Sequence, residues 1–497
     1  MIEQAPALIV IIPLLAALLL IPATPLGPRF AYGLLVTALA ATLAAALATL
    51  NLVMVANEAV HYRMGDWLPP HGIELVIDHL SGVVLVLVSG CALLTAIYSR
   101  QSAEQDNPDR LNQYYALFAL LVTGLLGMTA TGDVFNLYVL LEISALSSYG
   151  LLARGRGPAY YATFKYLVVG TIGACFYLLG VGYIYIMTGS LNMADLAEIL
   201  SRPELQESMS VKIGFTLIII GVWIKMALFP LHAWMPNAYS KAGTTTACLV
   251  APLMTKVSIY IMIRLMFSVF SVDYVFGVIP WHHLVSWLAV AAIVVGSLTA
   301  LAQQDLRKML AYIIVAEVGY MVGGAWLANE AGLTGAIYHI LSDALMTLCL
   351  FMAVGAIIYR TGKSSAAAME GLFAKMPITA AVFVLGWFSI IGIPPTCGFF
   401  SKWYLISGGI EAGHWAYVAA LLFSSLINAV IFFRLIEIAY FGNFATHDGH
   451  HAAPARNEAP FTMLLPMVVT AALLIMVGLY TSEIITALVG KAIPPGL

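Results

Sequence analysis

Stretches of about 17–25 apolar residues, the length that crosses a bilayer as a helix, recur along the whole chain with short polar breaks between them. The pattern predicts about fourteen spans, at residues 7–21, 31–56, 78–99, 112–131, 134–151, 164–187, 212–240, 246–271, 285–302, 309–327, 333–359, 376–406, 414–441 and 462–482. The sizeable polar insertions, 57–77 and 189–210, fall on one side, and 442–461 is the main one on the other. No strand or soluble domain is needed. The expected fold is an all-α polytopic membrane protein.

Composition agrees. The chain is 61% hydrophobic and 9% charged, with a mean hydropathy of +0.93, whereas a soluble domain carries roughly 25% charged residues. A net charge of −3 argues against nucleic-acid partners. Five cysteines (Cys91, Cys175, Cys248, Cys349, Cys397) stand apart in apolar segments without metal-ligand spacing, so no cofactor or metal is expected. The first apolar stretch has no Lys or Arg before it and reads as a retained first span.

Thirteen of the 22 lysines and arginines collect in the breaks of one side, four on the other and five inside spans. Positive residues accumulate on the cytoplasmic side, which predicts a multi-pass protein of the inner (cytoplasmic) membrane with both termini outside. His447, His450 and His451 in the last large loop read as a flexible solvated segment, with a metal site as the alternative.

Ionisable residues within spans change the picture most. The stretch GVWIKMALFPLHAWMPNAYS (221–240) places Lys225 in an apolar run that Pro230 and Pro236 interrupt. A charge at mid-membrane depth costs at least ~2.5–3.5 kcal/mol unless it faces a partner or a wet cavity. A broken helix is tolerated there only where protein or water covers its freed backbone, as at transporter ion sites. A second stretch repeats the theme, with Pro394 and Pro395 preceding Lys402 in span twelve. Glu142 lies in span five, Lys256 in span eight, Glu317 in span ten, and His339 with Asp343 one turn apart in span eleven. Arg264, Arg434 and Glu437 near span ends read as structural.

Eighty-three residues separate Glu142 from Lys225, and eighty-five separate Glu317 from Lys402. Shifting spans four to eight by five gives nine to thirteen, and because five is odd the second unit enters the membrane from the opposite face. Two inverted five-helix repeats are therefore expected, with spans seven and twelve broken. The divisions are 1–111, 112–271 (first repeat), 272–441 (second repeat) and 442–497. Lys225 with Glu142 forms a switchable pair, since burial and pairing push a proton affinity in opposite directions. Lys256 follows, then Lys402, with Glu317 and His339 or Asp343 as links and waters as bridges. His232 is either a relay or a capping residue after Pro230.

At these residues the chain resembles the antiporter-like proton-channel subunits shared by complex I, membrane-bound hydrogenases and Mrp-type Na+/H+ antiporters. The resembling motifs are FNLYVLLEI around Glu142, IKMALFPLHAWMPNAYSKA around Lys225, LMTKVSIY around Lys256, DLRKMLAYIIVAEVGY at Glu317 and GIPPTCGFFSKW around Lys402. The resemblance implies proton translocation, with Na+ as the exchanged ion, inside a complex with other membrane subunits. It favours the D-type antiporter subunit, followed by a subunit of a redox-driven complex. The chain departs from the family at Asp343 and Thr347, where members often carry histidine and lysine, and at Glu317, where they carry a polar neutral residue or histidine, so span eleven is expected to lack its usual base. An independent small-solute carrier and a structural scaffold are the readings from other classes. The first would require polar groups for an organic ligand, and the second would not require two buried Lys–Glu sets.

Overall fold

A computed structural model of the chain describes residues 4–106, 109–155, 157–441, 456–494 and 497. Each of the fourteen predicted segments holds a helix, and we number the spans by them. Span 1 is Ala5–Leu20, span 2 Pro28–Ala56, span 3 His79–Asp106, span 4 Leu111–Ala130, span 5 Val134–Ala153 and span 6 Ala159–Thr188. Span 7 is divided into Met209–Met226 and Met235–Lys241, and span 8 is Thr244–Arg264. Spans 9 to 11 are His282–Leu301, Leu306–Ala325 and Glu330–Thr361. Span 12 is divided into Pro377–Ile391 and Cys397–Glu411, span 13 is Trp415–Phe441 and span 14 is Phe461–Leu479. Among the described residues, twelve helices are long and apolar enough to cross a membrane; Ala5–Leu20 and Pro377–Ile391 are shorter apolar helices. The predicted histidine loop, with His447, His450 and His451, lies outside the described residues.

Side chains that accept from free backbone N–H groups start several spans. Asp133 accepts from Asn136 N at span 5, Asp305 from Lys308 N at span 10 and Asn329 from Gly332 N at span 11. The expectation that no strand is needed is corrected by a short antiparallel hairpin, Val60–Arg63 paired with Glu74–Ile77, inside the 57–77 loop. Runs of four residues alternating inside a polar loop are too short for periodicity to distinguish from coil. The 189–210 insertion carries two short helices, Met193–Leu200 and Pro203–Gln206.

Contacts between connections alternate between two ends of the bundle, as an alternating chain requires. At one end, Asp106 accepts from Thr244 N, Arg307 donates to Ala242 O, and Arg360 donates to Glu458 O. At the other, Asn192 donates to Glu74, Tyr62 donates to Gln4, and Lys491 donates to Asn57. Matching neighbours pack in the two halves: 4 on 5 and 9 on 10, 5 on 6 and 10 on 11, 6 on 7 and 11 on 12. Span 8 of the first half packs directly on span 11 of the second. Spans 8, 10 and 11 are almost wholly enclosed by protein, while spans 2, 6 and 14 face mostly outward. The enclosed spans are the ones that carry Lys256, Glu317, His339 and Asp343.

Candidate functional site

Both interruptions fall where the sequence places its prolines, and each leaves a lysine beside unwound backbone. Met209–Met226 stops because Ala227 adopts a left-handed conformation at φ 60°. The freed carbonyls there find new donors: Leu228 N donates to Trp223 O, and Trp234 Nε1 donates to Ile224 O at 3.1 Å. Pro236 lies in the first turn of the resumed helix, where a missing N–H costs little. In span 12 the break follows Gly392, at φ 92°, which only glycine adopts easily, and contains Pro394 and Pro395.

Closely spaced polar groups gather around spans 10, 11 and 12. Lys402 Nζ donates to Ile390 O at 2.5 Å, to Ile391 O at 3.5 Å and to Ser425 Oγ at 2.9 Å, and it sits 5.2 Å from the Tyr320 ring centroid. The lysine thus satisfies carbonyls left free where Pro377–Ile391 ends, at the negative pole of that helix. Ser401, the preceding residue, lies 2.8 Å from His339 Nδ1, and His339 Nε2 lies 2.5 Å from Glu317 Oε2. One turn along span 11, Asp343 Oδ2 is 2.7 Å from Lys256 Nζ, and Asp343 Oδ1 accepts from Thr347 Oγ1 at 2.8 Å. Glu317, His339 and Asp343 each bring one oxygen or nitrogen within 4.8 Å of the others. All of these ionisable side chains are at most 5% exposed. The predicted row Lys256, Asp343, Glu317, His339, Lys402 is therefore assembled in space, on four spans and both halves. Its carboxylates and imidazole are metal-ligand types, but the Lys256 ammonium already supplies the positive charge at Asp343.

The first half is looser. Lys225 is buried beside the break, yet among the described residues neither its Nζ nor the buried Glu142 Oε1 has a hydrogen-bond partner. Gly170 makes room here, since a Cβ at that position would collide with the Tyr149 hydroxyl and touch Lys225 Nζ. A cavity of about 20 Å³ lined by Ser144, Tyr166, Lys225 and Ser258 adjoins the ammonium, and ~10–15 Å³ suffices for one water. Tyr166 stacks on Trp234 at 3.9 Å, which ties span 6 to the break. Glu142 itself is half-buried, on a face of span 5 that also exposes Val139 and Leu146. The predicted Lys225–Glu142 pair is thus two neighbouring charges without a direct bond.

Other predicted residues divide cleanly. His232 lies in the break of span 7, stacked on Phe229 at 5.4 Å and 6.4 Å from Tyr312, and no hydrogen bond joins its side chain to the row among the described residues. Arg264 is structural as read: it forms a bidentate pair with Asp78 at 2.6 and 2.7 Å. Burial alone would raise the Asp78 carboxyl, but the Arg264 charge and hydrogen bonds, with those from Ser81, hold it at about 2. Arg434 likewise donates to Leu301 O and Gln303 O. Span 11, expected to lack its base, still presents His339, and Asp343 acts as counter-ion to Lys256. The reading of charges overlooked Ser401, Ser425 and the Tyr320–Ser424–Ser297 chain (2.6 Å at each step). A hydroxyl carries no charge signal in an apolar run, so only spacing beside Lys402 could have pointed to Ser401.

Comparison with known proteins places the family and the fold. Residues 131–428 match the family described as NADH:quinone oxidoreductase/Mrp antiporter, TM. The chain is 43% identical to the N-type subunit of the NADH-quinone oxidoreductase of Desulforudis audaxviator, over 99% of each chain. It is 31% identical to the D-type subunit of the Na(+)/H(+) antiporter of Bacillus subtilis, over 76% of each. Its fold superposes with a TM-score of 0.89 and 29% identity on a chain of the membrane-bound sulfane sulfur reductase, an archaeal respiratory membrane complex, covering 98% of this chain and 97% of that one.

Proposed function

Because the chain belongs to the NADH:quinone oxidoreductase/Mrp antiporter family of multi-pass membrane subunits, we propose that it conducts protons as one subunit of a hetero-oligomeric Mrp-type antiporter that exchanges Na+ for H+. The observation that carries this reading is the enclosed row from Lys256 through Asp343, Glu317, His339 and Ser401 to Lys402. A buried imidazole bonded on both nitrogens can receive a proton at one and release one at the other, so His339 passes protons between Glu317 and Ser401. Lys402 then takes up or releases a proton against the helix-end carbonyls.

In the first half, Lys225 is the loading group. Its ammonium is stabilised by the charge of Glu142 without being locked to it, so displacing or neutralising Glu142 lowers the affinity of Lys225 for its proton. Water in the adjoining cavity links Lys225 toward span 8 and Lys256. The cavity of about 20 Å³ beside Lys225 has room for water and none for an organic solute. The two inverted five-helix units, 112–271 and 272–441, flanked by 1–111 and 442–497, the inner-membrane location and both termini outside belong to this reading.

A second reading, a proton-pumping subunit of a redox-driven complex, is favoured by the full-length 43% identity to an NADH-quinone oxidoreductase subunit. Vesicles containing the assembled complex separate the two. Proton flux driven by a Na+ gradient alone supports exchange, and flux that appears only with an electron donor supports redox drive. In either case Lys225→Ala or Glu142→Gln is expected to abolish the flux while assembly survives. Unchanged flux in both variants removes these residues from the mechanism.

A further inference from the structure

Two cavities are lined in succession by one stretch of span 3. The larger of the two, about 390 Å³, is lined by apolar side chains that include Leu47, Val86, Leu341, Leu345 and Leu473. The other, about 200 Å³, is lined by Asp78, His79, Arg264, Ser268 and Lys491. They share their walls. On span 3, His79 and Leu80 border the polar cavity, and Val83, Val86, Leu87 and Gly90 border the apolar one at the three-to-four-residue spacing of a single helix face. On the segment after span 14, Ile484 and Leu488 border the apolar cavity and Lys491 and Ile493 the polar one. The result is an apolar shaft with a polar mouth.

The mouth selects for an anion. Arg264 is neutralised by its bidentate pair with Asp78, which leaves Lys491, exposed and bonded to Asn57 Oδ1 at 2.7 Å, as the uncompensated cation. His79 is buried, and among the described residues its Nε2 has no hydrogen-bond partner. A phosphate oxygen at the mouth would accept from that nitrogen and neutralise Lys491, satisfying both at once. The shaft suits hydrocarbon and not a partner's spanning helix, which is ~10–12 Å across and ~30 Å long.

We propose that spans 2, 3, 11 and 14 hold one phospholipid, its phosphate between His79 and Lys491 and an acyl chain in the shaft. The chain lies against Leu341 and Leu345, which flank Asp343 on span 11, so the lipid packs behind the helix that presents His339 and Asp343 to the row. Nothing in the proton-conduction reading requires it, and it stands or falls separately.

Native mass spectrometry of the intact complex, released from mild detergent, tests the site. A Cβ at Gly90 would meet nothing within 4 Å, so Gly90→Phe fills the shaft with little disturbance of the packing. One retained phospholipid per copy of this chain is expected in the parent complex and none at this site in Gly90→Phe. Lys491→Glu, on the surface, repels the phosphate and should lower retention at least tenfold; it carries the test if Gly90→Phe does not assemble. Retention unchanged in the Lys491 variant, or in an assembled Gly90→Phe complex, overturns the proposal. So does recovery of a quinone in place of a phospholipid, or saturation of the mouth by inorganic phosphate with the shaft empty.

Discussion

The two broken spans hold their lysines in opposite ways, Lys225 in the last turn before one break and Lys402 in the helix that resumes after the other. Lys402 donates to two helix-end carbonyls and a serine, while Lys225, at the other break, has no hydrogen-bond partner among the described residues. In span 12 the carbonyls at the break are left for the lysine. In span 7 Leu228 N and the Trp234 indole have already taken those of Trp223 and Ile224. An anchored ammonium has its charged state stabilised by fixed dipoles, whereas an unanchored one depends on a movable neighbour. One break is therefore suited to holding a proton and the other to responding to a change outside the subunit, since Glu142 reaches toward the surface of the chain.

Four measurements strain this comparison. Stability losses near neutral pH can be read as thermal unfolding in detergent with a thiol-reactive dye at the buried cysteines Cys91, Cys248, Cys349 and Cys397, and acid unfolding by tryptophan fluorescence, since a protonated thiol does not react. The largest effect is expected for Asp343→Asn, which strands the Lys256 ammonium in the enclosed core and should cost ~3–5 kcal/mol. Pairing it with Lys256→Met should recover most of that loss, and a double variant as unstable as the single one would show that the ion pair is not the cause.

Next, the two lysines should separate when each is replaced by an apolar side chain of similar length. Lys402→Met leaves two carbonyls without a donor and should destabilise by ~1–3 kcal/mol. Lys225→Met removes a charge without a bond and should be neutral or stabilising. Equal losses at both positions would erase the distinction between the breaks.

A third effect lies at the end of span 8. The Asp78 carboxyl is lowered to about 2 from its ordinary value near 3.8. A carboxyl lowered by folding adds stability that is present above its unfolded value and is lost as pH falls through its folded one. Between about pH 4 and 2 the protein should thus lose roughly 2 kcal/mol from this group. Asp78→Asn should flatten that part of the acid-unfolding curve; an unchanged curve would mean that the Arg264 pair does not hold the carboxyl down.

The smallest effect concerns Thr347, which donates to Asp343 at 2.8 Å. Thr347→Val should cost ~1.5 kcal/mol, the low end for a hydrogen bond to a charged group. Thr347→Lys instead places a second cation at Asp343 and should shift the pH profile of proton flux. An unaltered profile would take span 11 out of the conduction path.

Much of this was legible in the chain itself. Apolar run length set the number of helix segments, proline placement located both breaks, and the depth of Glu142, Lys225, Lys256, Glu317, His339, Asp343 and Lys402 singled them out, because each of these follows from transfer energies along one dimension. Folding in three dimensions decided the rest. That Lys256 pairs with Asp343 across the two halves depends on span 8 packing against span 11, eighty-seven residues on in the sequence. That Lys225 stays unbonded while Lys402 is held depends on which donors reach a few freed carbonyls. Hydrogen bonds act over about 3 Å, and no spacing in a sequence specifies distances that short between separate helices.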